Sequence, residues 1–230
     1  MSRRPDYGRA FALWRESAGD AWRDYTGHAF VEGMRCGTLP KAAYVHYLVQ
    51  DYVFLIHFAR AWALAAVKAD TLDEMKAAAA TVNALVNEEM RLHVETCAAE
   101  GIPEATLVDA REEPENLAYT RFVLEAGYSG DFLDLMAALA PCVLGYGEIG
   151  LRLAADPAAA ASPQRPWIDA YAGEDYQRLC GDVGALIDGA LERRLGDAYA
   201  TLPRWRSLGA RFDTATRLEI GFWDMGLRGA

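Results

Sequence analysis

The stretch "MAALAPCVLGYGEIG", Met136 to Gly150, decides how the chain reads. At helical spacing Leu135, Leu139, Cys142, Tyr146, Ile149 and Leu153 fall on one stripe, the 4-3-4-3 rhythm of a face that meets a core. A thiol and a phenol stand where a helix would ordinarily place leucines. Pro141 lacks the N–H that a helix needs and predicts a kink or a restart beside the cysteine.

Outward from this segment the same period recurs and alternating Val/Ile/Thr runs are missing, so the chain reads as all-α. A first helix spans about Tyr7 to Tyr25, carries Phe11, Trp14, Ala18, Ala21 and Trp22, and ends near Gly27. After a short segment around Phe30 to Met34, the breaker "CGTLP" precedes a long helix to about Ala69, with Thr38 as N-cap and Pro40 in the first turn. A third helix covers Leu72 to Gly101, a short fourth follows Pro114 and ends by Gly127, and a fifth runs from Gly130 to Ala155. Beyond the linker "DPAAAASPQRP" come helices over Pro166–Tyr171, Glu174 to about Ala200 and, after "TLPRW", Ser207 to Leu227. With no fixed repeat and no Gly/Ser-rich hinge, residues 1–230 are expected to form a single domain.

Composition narrows the function. The 230 residues are 52% hydrophobic and 24% charged, with a formal net charge of −10 and a pI near 4.9. Such a field repels phosphate backbones and anionic lipid, so nucleic acid is not an expected partner. The basic pairs Arg3–Arg4 and Arg193–Arg194 read as solvated ends and faces. The amino terminus lacks a secretory h-region, and no stretch reaches the roughly 18 uncharged apolar residues of a membrane span, so a cytoplasmic protein without a membrane partner is expected. Cys36, Cys97, Cys142 and Cys180 are far apart with no C-x-x-C pair, which fits free thiols rather than zinc ligands or disulfides.

Two more stripes carry polar groups inward. Tyr44, Leu48, Asp51, Leu55, Phe58 and Trp62 share one helix face, and Phe212, Ala215, Glu219, Phe222 and Gly226 another. A buried cysteine is commonly inert filler and a stripe tyrosine ordinary core, but ionised carboxylates are rarely buried unless paired. A thiol and a carboxyl in a desolvated aromatic surrounding suit covalent catalysis, with burial tuning the carboxyl towards proton transfer near neutrality. Asp51, if ionised, would pair with a nitrogen of a cationic or amidine-like substrate. Tyr119 lies beside Phe122 and Val123 on a further helix. Glu89 and His93, four apart on one face, could bind a metal but fit a capping or inter-helix hydrogen-bonding pair better, and the paired Glu-x-x-His motifs of di-iron carboxylate proteins are absent. No metal or cofactor is expected.

The blocks "VQDYVFLIHFARAWALA", "AYTRFVLEAGYSGDF", "LAPCVLGYGEIG", "PWIDAYAGEDY" and "LEIGFWDMGL" resemble, in order and spacing, those of TenA proteins (thiaminase II, aminopyrimidine aminohydrolase) from about the first helix to the carboxyl end. The most specific element is P-C-x-x-x-Y-x-E-x-G followed later by E-x-x-F-W. This resemblance implies a haem-oxygenase-like helical bundle without haem, assembled as a homotetramer. It implies hydrolysis of the C–N bond at the C5 methylene of 4-amino-2-methylpyrimidines, yielding hydroxymethylpyrimidine for thiamin salvage. By analogy Cys142 is the nucleophile and Glu219 the acid/base. Asp51 grips the aminopyrimidine edge, Tyr146 and Tyr171 bind substrate, and Tyr119 supports the cysteine. Where the family commonly has a tyrosine three residues after the aspartate, this chain has Phe54, whose ring can stack on a pyrimidine but brings no hydroxyl. Tyr47, one turn before Asp51 on the same face, is read first as core packing and second as a hydroxyl that could compensate. The alternative is a non-catalytic pyrimidine-binding or regulatory protein of the same fold.

Overall fold

A computed structural model describes residues 5–229, and among these every regular element is helical. The Arg3–Arg4 pair lies outside the described residues. The α-helices are α1 (Arg9–Ala18), α2 (Asp20–Thr26), α3 (Ala29–Cys36), α4 (Lys41–Lys68), α5 (Leu72–Ala84), α6 (Met90–Ala99), α7 (Glu104–Val108), α8 (Pro114–Ser129), α9 (Phe132–Ala154), α10 (Arg165–Ala172), α11 (Glu174–Leu195) and α12 (Pro203–Arg228). They gather into two compact units, one from Met1–Leu39 and Met136–Ile220, the other from Pro40–Leu135 and Gly221–Ala230.

The first unit is built on buried aromatic side chains. Trp14 and Trp22 each stack on Phe212 with ring centroids 5.5 Å apart, and Phe11 meets Trp22 edge-on at 5.4 Å. The expected first helix is two helices. Gly19, at φ +51°, adopts a backbone conformation that L side chains rarely enter, and the chain turns there between α1 and α2. The start of α1 is capped from far along the sequence: Asp188 of α11 accepts from the Arg9 and Ala10 amides at 2.7 and 2.8 Å. Glu32 of α3 joins Arg152 of α9 at 2.8 Å and Arg35 at 2.5 Å, and Arg35 reaches Asp156 at 3.2 Å.

Thr38 does not cap the long helix. Its amide donates to the Gly33 carbonyl at 2.9 Å, while the Gly37 amide, at φ +66°, reaches the Met34 carbonyl, closing α3 in a Schellman motif. The N-cap of α4 is Pro40, with no side-chain cap bond, so the proline precedes the first turn instead of occupying it.

In the second unit α4 is the common support for α5, α6, α7 and α8. Buried Gln50 ties α4 to the segment before α8: its amide donates to the Arg111 carbonyl at 2.9 Å, and its side-chain oxygen accepts from the Glu113 amide and the Asn116 side chain, both at 3.1 Å. Thr71 and Glu74 form a reciprocal capping box at the start of α5. The expected helix over Leu72–Gly101 is interrupted by a π-helical turn, Leu85–Glu89, which shifts the register between α5 and α6.

Helix α9 runs unbroken through Pro141, so the expected restart does not occur. It is long and apolar enough by composition to cross a membrane, but 89% of its most apolar window is buried inside the protein, as befits a core helix. Helix α12 begins at Pro203, a turn earlier than expected, because a proline in the first turn gives up no hydrogen bond.

Candidate functional site

In the first unit the unusual groups lie on α9, α10, α11 and α12. Cys36 is exposed, whereas Cys97 and Cys180 are buried and their thiols are pushed up to about 12, chiefly by desolvation. Those two are held as thiols at neutral pH. Cys142 differs from all three in being half-buried, the partial access that a reactive thiol needs.

One turn on, Tyr146 begins an aromatic cluster. Its ring lies 5.1 Å from Tyr171 and 5.7 Å from Trp167. Trp167 is 4.4 Å from Tyr171, and Tyr176 meets Tyr171 edge-on at 4.7 Å. The cluster is tied to α9 by hydrogen bonds: the Tyr176 hydroxyl donates to the Val143 carbonyl at 3.1 Å, and the Gln177 amide to the Gly147 carbonyl at 3.1 Å and the Tyr171 carbonyl at 2.7 Å. Gly150 permits the close approach, since a Cβ there would stand 2.6 Å from the Tyr171 carbonyl carbon. Glu219 of α12 is 1% exposed, on the stripe that carries fully buried Phe212 and Ala215.

In the second unit Asp51 of α4 is 7% exposed. Burial pushes its carboxyl up to about 7, against the opposing effect of a hydrogen bond from the Tyr47 hydroxyl. Near neutrality the group is therefore divided between acid and carboxylate rather than wholly ionised. Glu89, the last residue of the π-turn, is likewise pushed up to about 7, first by burial and then by Asp51. His93 bridges the helices: Nε2 lies 2.9 Å from the Leu48 carbonyl oxygen and Nδ1 3.5 Å from Asp51 Oδ2. Among the described residues no group of three or more His, Cys, Asp or Glu could hold a metal ion. The Phe54 ring sits 5.2 Å from Tyr119, 5.6 Å from Phe58 and 5.5 Å from Phe222.

The residues singled out from sequence thus fall into two sets. Cys142, Tyr146, Tyr171 and Glu219 belong to the first unit, where the two tyrosines touch. Asp51, Phe54 and Tyr119 belong to the second, where the phenylalanine and Tyr119 touch. Sequence reading missed Trp167, one turn before Tyr171, although an aromatic at that spacing was a visible signal. It also missed Tyr176 and Gln177, which carry no periodic signal. The pairing of His93 with Asp51 was hidden because the π-turn breaks the register that would have aligned them.

Comparison with known proteins follows this pattern. Residues 15–229 match the family model described as TENA/THI-4/PQQC. An aminopyrimidine aminohydrolase from Halalkalibacterium halodurans is 33% identical over 211 residues, 91% of this chain and 92% of that protein. A Haemophilus influenzae protein of uncharacterized function is 37% identical over 207 residues, 90% of this chain and 93% of its own. A crystal structure described as a TenA family transcription regulator from Silicibacter sp. TM1040 superposes with a TM-score of 0.94 at 63% identity, covering 96% of this chain and 97% of that one. At 13% identity, a Shewanella denitrificans domain with a heme oxygenase-like fold still gives a TM-score of 0.74 over 95% of this chain and 92% of its own, which assigns the fold. The chain belongs to the TENA/THI-4/PQQC family, on an all-α, haem-oxygenase-like fold.

Proposed function

We propose that the protein is a hydrolase that cleaves the C–N bond at the C5 methylene of 4-amino-2-methylpyrimidines, aminomethylpyrimidine foremost, to give hydroxymethylpyrimidine for thiamin salvage. The observation that carries this reading is the burial of two carboxyl groups, Asp51 at 7% and Glu219 at 1% exposure, in a chain that matches a named aminopyrimidine aminohydrolase along nine-tenths of its length. In this reading the Cys142 thiolate adds to a ring carbon of the pyrimidine, the electron pair so released expels the amine from the C5 methylene, water adds to the resulting exocyclic methylene, and expulsion of the thiolate restores the ring. Glu219 protonates the departing amine and then takes a proton from the water that completes hydrolysis. Asp51 grips the amidine edge, Phe54 stacks on the ring, Tyr146 and Tyr171 bind substrate, and Tyr119 supports the cysteine. Assembly as a homotetramer belongs to the same reading and is checked by light scattering on the purified protein.

The test is incubation with aminomethylpyrimidine and with thiamin, followed by mass spectrometry of the pyrimidine product. Turnover should fall by several powers of ten in Cys142→Ala and in Glu219→Gln. No turnover by the parent protein, or equal turnover in Cys142→Ala, overturns the assignment.

A second reading, a non-catalytic pyrimidine-binding or regulatory protein, is favoured by the name of the Silicibacter relative and by Phe54 in place of a tyrosine. Ligand-induced thermal stabilisation without product would establish it. Direct DNA contact has the net charge of −10 against it.

A further inference from the structure

The protonation of His93 follows from its neighbours. A carbonyl oxygen can only accept, so the Nε2 that lies 2.9 Å from the Leu48 oxygen carries a hydrogen. Burial lowers the basicity of the ring, and the neutral imidazole then presents a lone pair at Nδ1. That lone pair faces Asp51 Oδ2 at 3.5 Å. Two bare acceptors would repel there, so while Asp51 is protonated, below its titration near 7, its proton is best placed on Oδ2 towards Nδ1. In that form Oδ2 is turned to His93 and Oδ1 bears no hydrogen.

We propose that His93 is a positioning and specificity-determining residue: by holding the shared proton on the Oδ2 side, it fixes Asp51 as a pure hydrogen-bond acceptor towards the ligand. This rests on the reading of Asp51 as the group that grips the pyrimidine edge. An acceptor there is matched by the exocyclic N–H of a 4-aminopyrimidine and opposed by the carbonyl of a 4-oxopyrimidine, which would place two acceptors against each other. A buried polar group left without its partner is what gives such sites strong discrimination.

Burial favours a proton on Asp51, and the bond from Tyr47 opposes it. The Tyr47 hydroxyl donates to the Asp51 carboxyl, and half-buried Glu89 lies close enough for the Asp51 charge to push its own carboxyl up. Tyr44 and Cys97 also face Asp51, both held protonated by desolvation, and the Tyr52 ring lies 6.5 Å from that of His93. Glu100, which acts on Tyr44 and Cys97, is paired with Lys41 at 3.2 Å.

Two measurements decide the matter on the full-length protein. The first is nitrogen-15 spectroscopy of the histidine rings against pH. The expected result is an Nε2–H tautomer for His93 and an inflection near neutrality, where Asp51 titrates, that disappears in Asp51→Asn. An Nδ1–H tautomer, or an inflection unchanged in Asp51→Asn, overturns the lock. The second is the ratio of Kd values for aminomethylpyrimidine and its 4-oxo analogue. In His93→Gln, whose amide N–H can still reach Leu48, the preference for the amino compound should fall about tenfold or more. His93→Asn, which keeps an acceptor near the Nδ1 position, should retain more of it. Unchanged preference in a folded His93→Gln overturns the selection. A parent protein that binds neither pyrimidine overturns the functional reading and the selection with it, while the ring spectrum decides the lock on its own.

Discussion

The hydroxyl end of the Tyr25 ring lies against Gly145. A Cβ at Gly145 would run into the Tyr25 ring, and the Tyr25 hydroxyl donates to the Pro141 carbonyl at 3.2 Å. One fully buried side chain of α2 therefore braces the turn of α9 between Pro141 and Gly145, the turn that carries Cys142. Because the ring is fully buried and bonded to α9, Gly145→Ala should cost about 1–3 kcal/mol as an overpacking change. Tyr25→Phe keeps the wall and loses only the hydrogen bond, so about 1 kcal/mol is expected. Thermal unfolding monitored by circular dichroism measures both. A Gly145→Ala protein as stable as its parent would show that the ring is not the constraint.

Gln177 joins three segments through one side chain. Its oxygen accepts from the Tyr7 hydroxyl at 2.5 Å, and its nitrogen donates to the Gly147 and Tyr171 carbonyls. Gln177→Leu removes one partner from a hydroxyl and from two carbonyls, and about 2 kcal/mol of stability should be lost. Since the released backbone is that of Tyr171, the kinetic signature is a raised KM with a smaller change in kcat. Steady-state kinetics on the folded variant provide the check, and an unchanged KM would separate Tyr171 from substrate binding.

Asp188 supplies the cap that α1 lacks locally. Asp188→Ala should remove about 1–2 kcal/mol by exposing two amide donors, with Asp188→Asn recovering part of the loss. Chemical denaturation of the two variants resolves the order, and equal stability of all three proteins would rule the cap out.

The fate of these residues shows how far the sequence could be read. Apolar periodicity sufficed for α4, α8, α9 and α12, because each buries a broad stripe and a stripe is a local property. It failed where a local signal met a competing partner. Thr38 has the chemistry of an N-cap, yet its backbone closes α3. Gly19 ends a helix whose apolar pattern continues across it. Asp188 is 178 residues or more from the amides it caps, and no local window contains both ends. The inward aim of Asp51 and Glu219 was legible because charge on an apolar stripe is costly. The approach of Glu89 and His93 to Asp51 was not, since the π-turn resets which residues of that region face α4.

Asp51 also sets a dependence of stability on pH whose sign differs from that of an ion-paired aspartate. Its carboxyl titrates near 7 in the folded protein against 3.8 ordinarily, so between those values the native state holds a proton that the unfolded chain has released. With more protons bound in the native state, unfolding free energy falls as pH rises from about 4 to about 7 and levels off above. Asp51→Asn removes this slope. The variant should match its parent near pH 4 and exceed it at pH 8 by on the order of 1–2 kcal/mol, less than the full linkage value because the bond from Tyr47 is weakened by the loss of charge. Pyrimidine binding should fall in the same variant, the usual exchange between a costly buried group and the function it serves. Urea unfolding of both proteins across this range isolates the effect, because acids common to the two, such as Glu32 and Asp156 with lowered values beside arginines, cancel in the difference. A parent protein that gains on the variant with rising pH would mean that Asp51 is held as a carboxylate.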